Sequence, residues 1–198
     1  MTKSTKVKSF TKNRIHYLGA ISETGNGKAL LAQLRRGVGK DPGDLPALWG
    51  VFLEDMPDEL CGYNGSPSNS EAAVYHSLTL FGLHQQGSDI SSLMKADGIS
   101  IGKAAALMVK TNGQDSKERI EKKLDYASRA NTLKDLIIRL RALIQLLKQS
   151  GIVLDYSLLA EDLYRFSIDD QRREVRLKWG RDFYKELNRR KEDKENVK

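Results

Sequence analysis

The stretch TLKDLIIRLRALIQLLKQSG, Thr132 to Gly151, carries the clearest structural signal in the chain. Leu133, Leu136, Ile137, Leu140, Leu143, Ile144 and Leu147 recur at three- and four-residue intervals. On a 3.6-residue helix they form one apolar stripe. Thr132 with Asp135 three residues on supplies a start, and Gly151 a stop. A helix of this kind is marginal alone in water and must bury its stripe against other elements. The flanking segments provide partners. Asp155 can cap a helix bearing Leu159, Leu163 and Phe166. A last helix, about Asp170 to Asn188, carries Val175, Trp179, Phe183 and Leu187, each four apart. On the other side, Asp115 to about Tyr126 reads as a charged helix.

Toward the N-terminus the signals are shorter. Lys28 to Arg36 puts Leu30, Leu31 and Leu34 on one face, with Gly37 as the stop. Pro46 suits the first turn of a helix carrying Trp49, Phe52 and Leu53. Ser68 and Glu71 have capping-box spacing, and the helix they open, to Gln86, buries Val74, Tyr75, Leu78 and Phe81. Leu93–Met94 and Ile101 to Val109 predict two more short helices, and Thr111-Asn112-Gly113 is the best break in the chain.

All four prolines lie between 42 and 67, and Leu plus Ala outnumber Val plus Ile about two to one. Proline ends helices and β-branched residues favour strands, so both facts predict an all-α fold. The expected architecture is two packed helical bundles with no sheet. Its parts are a flexible basic arm (1–14), an N-terminal helical domain (15–112), a C-terminal helical bundle (113–188) and a charged flexible tail (189–198).

Lys and Arg number 33 against 26 Asp and Glu, a net charge of +7, but the charge is segregated. Residues 1–40 carry nine basic and one acidic residue, residues 41–100 one basic and nine acidic, and the remainder is basic again. This layout implies an anionic partner at one surface and a protein contact, or internal pairing, at another. A single cysteine, Cys61, rules out an internal disulfide framework and a cysteine-based zinc site, and fits a reducing compartment. No apolar run reaches the ~18 residues of a membrane span, and the basic start lacks a signal-peptide core. The expectation is a soluble, cytoplasmic protein.

Catalytic patterns fail on inspection. Gly37-Val38-Gly39-Lys40-Asp41 resembles the end of a phosphate-binding loop, but Leu34 stands where the first glycine is needed and Asp41 where a hydroxyl is needed. Gly102-Lys103-Ala104 lacks the same hydroxyl. His76 and His84 are eight apart, not the i, i+4 of a helical metal site. Neither an enzyme, a metal nor a cofactor is expected.

The basic residues sit where phosphates could be reached. Lys134, Arg141 and Lys148 are seven apart and align along one edge of the leucine-striped helix, with Arg139 on the opposite edge. Arg119, Lys122 and Lys123 crowd the preceding helix, and Arg35, Arg36 and Lys40 the end of the Leu30–Leu34 helix. Cations beside an apolar seam can hold a phosphate backbone without reading bases. Each has an ordinary alternative: helix-end complement for Arg35 and Arg36, and i, i+4 pairing for Arg119 and Lys122.

Four segments together are similar to the CasB family, the small "belly" subunits of type I-E CRISPR Cascade complexes. They are ALLAQLRRGVGKDPGDLPALW (Ala29–Trp49), LTLFGLHQQ with SIGKAAALMV (Leu78–Gln86, Ser100–Val109), LIIRLRALIQLLKQSGIVLDYSLLAEDL (Leu136–Leu163) and VRLKWGRDFY (Val175–Tyr184). The resemblance implies a non-enzymatic helical subunit, present in two copies beside the guide RNA and the other Cascade subunits. It implies that the subunit stabilises the R-loop, the guide paired with target DNA, and lines a path for the displaced strand. Arg35, Arg36, Lys40, Arg139, Arg141 and Lys148 fall in matching segments; Arg119, Lys122 and Lys123 match only in basic character. The rival expectation is a purely structural adaptor whose acidic middle docks on basic partner subunits.

Overall fold

Side-chain caps start most of the helices. The Ser68 hydroxyl accepts from the Glu71 amide (3.0 Å) while the Glu71 carboxylate accepts from the Ser68 amide (2.6 Å), a complete capping box. Thr132 accepts from the Asp135 amide (3.2 Å) and Asp155 from the Leu158 amide (3.0 Å). Gly151, at φ +64°, ends the leucine-striped helix, and the Ile152 amide donates back to Leu147.

The structure, a computed structural model, describes residues 1–195. Among these are ten α-helices: α1 (Lys3–Ile21), α2 (Gly25–Gly37), α3 (Trp49–Phe52), α4 (Asn69–Gln85), α5 (Ile90–Met94), α6 (Ile101–Asn112), α7 (Lys117–Ser128), α8 (Leu133–Gln149), α9 (Tyr156–Phe166) and α10 (Asp169–Glu195). No strand occurs among the described residues. The all-α architecture is as expected.

Helix α4 is the centre. It is apolar or small on nearly every side, and α1, α2, α8 and α9 all pack against it. Helix α2 runs antiparallel to it at close range. A Cβ on Gly82 would stand 2.7 Å from the Leu34 Cβ, and one on Gly37 would stand 2.8 Å from the Tyr75 hydroxyl oxygen, so glycine permits the approach. On α8, Leu136, Ile137, Leu140, Leu143, Ile144 and Leu147 are fully buried, which contributes on the order of 10 kcal/mol of apolar transfer. Trp179 of α10 is also fully buried, its indole N–H donating to the buried Asp162 carboxylate (2.7 Å).

Three expectations are corrected. Residues 3–14 are not a flexible arm but most of α1, which packs on α9 and α4 through Val7, Phe10, Ile15 and Leu18. The Arg14 guanidinium is buried, donating to the carbonyls of Val51 (2.8 Å) and Gly50 (2.7 Å). Trp49 lies outside the core, 50 % exposed, because α3 is a single turn that buries Val51 and Phe52 instead. The backbone of α10 continues helically to Glu195, through the start of the predicted tail; residues 196–198 of that tail lie outside the described residues. The predicted break is a turn at Gly113 (φ +91°), but the packing crosses it: α6 lies on α10, α4 on α8 and α9, and the buried side chains form one core.

Candidate nucleic-acid interface

The nine predicted cations fall into two groups, divided by the two edges of α8. On one edge, Lys134 approaches Asp41 (3.7 Å) and Lys148 donates to the Gln86 side chain (3.3 Å). Asp41 follows the end of α2, and Gln86 follows the end of α4, so these two exposed contacts link α8 to the segments that follow both helices. Arg35 lies on the edge of α2 that faces the same loop, lining with Lys28, Gln85, Gln86 and Asp89 a concavity of ≈ 330 Å³. Lys40 neighbours Asp41, and Arg36 projects outward on the face of α2 opposite Leu31 and Leu34. Arg35, Arg36, Lys40, Arg141 and Lys148 make the first group: Arg35 and Lys148 both border Gln86, and Arg36, Lys40 and Arg141 join them by position on α2, just after it and on α8. Among the described residues none of the five has a carboxylate partner. From Lys134 to Lys148 the edge runs about 21 Å.

Arg139, on the other edge, belongs to a second group. Its guanidinium bonds Asp135 (2.7 Å) and the Tyr126 carbonyl (2.6 Å) and lies 4.2 Å over the Tyr126 ring. Arg119, Lys122 and Lys123 share the exposed face of α7 with Tyr126 and line a concavity of ≈ 650 Å³. Lys122 is spent on Glu118 (2.6 Å), whereas Arg119 and Lys123 have no carboxylate partner among the described residues. The structure therefore does not bring the nine together into one patch.

Sequence reasoning missed three participants. Tyr126 sits seven residues after Arg119, a spacing that could have placed it on the same face. Asp41 and Gln86, the tethers of α8, had no sequence signal. A further basic cleft of ≈ 340 Å³ between α6 and α10 is lined by Lys103, Lys178 and Lys185, but Asp182 and Glu186 line it too, and Lys178 is engaged by Asp162 (2.6 Å).

Part of the segregated charge is paired inside the molecule. Lys6 pairs with Glu59, Lys12 with Asp97 and Arg14 with Glu54, so α1 supplies cations to the acidic middle. His76 and His84 are interior, whereas His16 is exposed on α1. His84 Nδ1 lies 2.8 Å from the buried Tyr156 hydroxyl, and burial pulls the pKa values of His76 and His84 down to about 4 each. Cys61 is a free thiol whose pKa burial raises, the opposite of activation. Among the described residues no group of His, Cys, Asp and Glu is arranged to hold a metal ion, and no helix is long and apolar enough to cross a membrane.

Residues 30–184 match the family of CRISPR-associated protein Cse2. The chain belongs to the Cse2 family. The fold agrees with solved members: the crystal structure of CasB from Thermobifida fusca superposes with a TM-score of 0.72 at 30 % identity, over 90 % of this chain and 97 % of that one. CasB from M. ruber, at 20 % identity, shares the fold with a TM-score of 0.60, over 90 % and 96 % of the two chains. No curated protein matches the chain. The Cse2 match spans α2 to α10 and so includes both cationic groups, while α1, up to Ile21, lies outside it.

Proposed function

We propose that this Cse2-family protein is a non-catalytic nucleic-acid-binding subunit of a type I-E CRISPR surveillance complex, Cascade, in antiviral defence. In that role it stabilises the guide RNA–target DNA R-loop and the displaced strand through contacts to the backbone, as one of two copies beside the other Cascade subunits in the cytoplasm.

The observation that carries this reading is the tethered cationic edge. Two segments about a hundred residues apart, α2 and α8, both pack on α4, and Lys134–Asp41 and Lys148–Gln86 link α8 to the segments that follow α2 and α4. Among the described residues Arg35, Lys40 and Arg141 have no carboxylate partner. A duplex strand presents a phosphate about every 3.4 Å, so an edge of about 21 Å can span several. Fixed cations at this spacing favour a polyanion without distinguishing its bases. The reading as a structural adaptor has less support, because three of the nine acids of the middle on which such docking would rest are already paired with α1.

The test is to replace Arg35, Arg141 and Lys148 together by Glu and to reconstitute the complex. Assembly should survive while R-loop formation fails. The log–log slope of duplex binding against salt should fall by two to three, at about 0.9 for each phosphate no longer neutralised. Failed assembly with unchanged DNA binding by the free chain would establish the adaptor instead.

A further inference from the structure

We infer that Tyr126 is a stacking platform for an unpaired nucleobase, which makes the exposed face of α7 a single-strand site distinct from the α2–α8 edge. This rests on the nucleic-acid reading above and adds to it a ligand class and a residue.

The ring is presented to solvent at 56 % exposure; Tyr17, Tyr63 and Tyr184 are exposed as well, so its setting rather than its exposure singles it out. One of its faces is covered by the Arg139 guanidinium, 4.2 Å from the ring centroid. That guanidinium is itself fixed, by Asp135 on α8 and by the carbonyl of Tyr126 on α7. The ring is therefore backed by a rigid cation that spans two helices, and its other face is open. The Tyr126 hydroxyl has no hydrogen-bond partner among the described residues, so no internal bond accounts for its placement. Tyr184, the other exposed tyrosine bordering α7, is by contrast bonded to Glu121.

The surroundings suit a single strand. The concavity at Tyr126 is the largest of those bordering α7, ≈ 650 Å³ against ≈ 460 Å³ for the groove on the α10 side. Its wall carries Arg119 and Lys123, both free of carboxylates, within about 10 Å of Tyr126 along the helix. Lys122 meets Glu118 there, and Asp115 is the remaining acid. A phosphate backbone running past Arg119 and Lys123 brings a base over the open face of the ring. Every base has a π-face, so stacking adds affinity without reading sequence. A duplex keeps its bases stacked on one another and cannot use the platform.

The experiment uses the full chain and two oligonucleotides of about 15 nucleotides, within the usual site size of such surfaces. One is oligothymidylate; the other is an abasic strand of the same length and charge. Fluorescence anisotropy at one fixed low salt concentration compares the wild type with Tyr126→Ala and Tyr126→Phe. The Ala variant should bind oligothymidylate roughly ten-fold more weakly and the abasic strand unchanged, and Phe should retain the wild-type value. An equal loss on both strands, no loss on oligothymidylate, or a Phe variant as weak as Ala would each overturn the platform while leaving backbone binding intact. If the wild type binds neither strand nor duplex, the nucleic-acid reading itself falls and this inference falls with it.

Discussion

Helices α4 and α7 make opposite use of their polar residues. Helix α4 carries His76, Ser77, Thr79 and His84 into the interior and answers most of them there: Ser77 donates to the Tyr156 carbonyl (2.6 Å), Thr79 to the His76 carbonyl, and His84 meets Tyr156. Helix α7 buries only Ile120, Leu124 and Ala127 and leaves its cations and Tyr126 outside. In the first helix polarity specifies packing and its loss costs stability; in the second it faces solvent and is available for binding. Helix α8 combines the two, a fully apolar stripe between two cationic edges. Stability and binding should therefore separate cleanly between α4 and α7.

The largest effect is expected in α4. Phe81 is fully buried and meets Tyr156 edge-on at 5.6 Å. Phe81→Ala should cost about 3–5 kcal/mol, read as a fall in the urea midpoint. A loss under about 1 kcal/mol would show that α4 is not the packing centre.

A change of pH acts on the same helix. His76 and His84 have folded-state pKa values of about 4, below the ordinary 6.5, because burial disfavours the imidazolium. The unfolded chain therefore takes up their protons first. The stability they confer is present above about pH 6.5 and is lost as pH falls toward 4, by roughly 3 kcal/mol each at most. Asp162, raised by burial, opposes this in sign. Urea midpoints at pH 7.5 and 5 should differ markedly in the wild type and less in His76→Gln. Equal pH dependence in both would remove His76 from the account.

Smaller is the expected effect of Arg119→Glu with Lys123→Glu on α7. The unfolding temperature should hold, while the salt slope for single strands falls by about 1.4, at about 0.7 per phosphate. A drop in unfolding temperature comparable to that of Phe81→Ala would erase the contrast between the helices. Smallest is Lys122→Ala, which breaks an exposed i, i+4 pair with Glu118. No shift in the thermal midpoint should be measurable by circular dichroism, and a clear one would mean that α7 does more for stability than its burial suggests.

The comparison also explains what the sequence could and could not disclose. Helix α8 was legible because every position on its stripe is aliphatic. Helix α1 was not, although Val7, Phe10, Thr11, Arg14, Ile15 and Leu18 lie on one helical face and all are buried. Thr11 and Arg14 hold two of those positions and break the apolar signal. Their polarity is answered locally for Thr11, whose hydroxyl donates to the Val7 carbonyl, and by a distant loop for Arg14. For the candidate site, periodicity placed Lys134, Arg141 and Lys148 on one edge of α8. It could not tell that Arg139 belongs with Tyr126 or that Gln86 joins α8 to the end of α4, because these contacts link residues remote in sequence. Trp49 misled for the related reason that its helix stops after one turn.

Arg14 reaches from the first helix to the carbonyls of Gly50 and Val51, and its Nη2 lies 3.3 Å from Glu54. A shortened protein starting at residue 15 would therefore lose more than an appendage. It would remove Val7 and Phe10 from the core and orphan the Gly50 and Val51 carbonyls beside Trp49. Trimming the N-terminus would thus unfasten α3, a turn whose Gly50 and Val51 lie 36 and 37 residues further along the chain from the arginine that holds them.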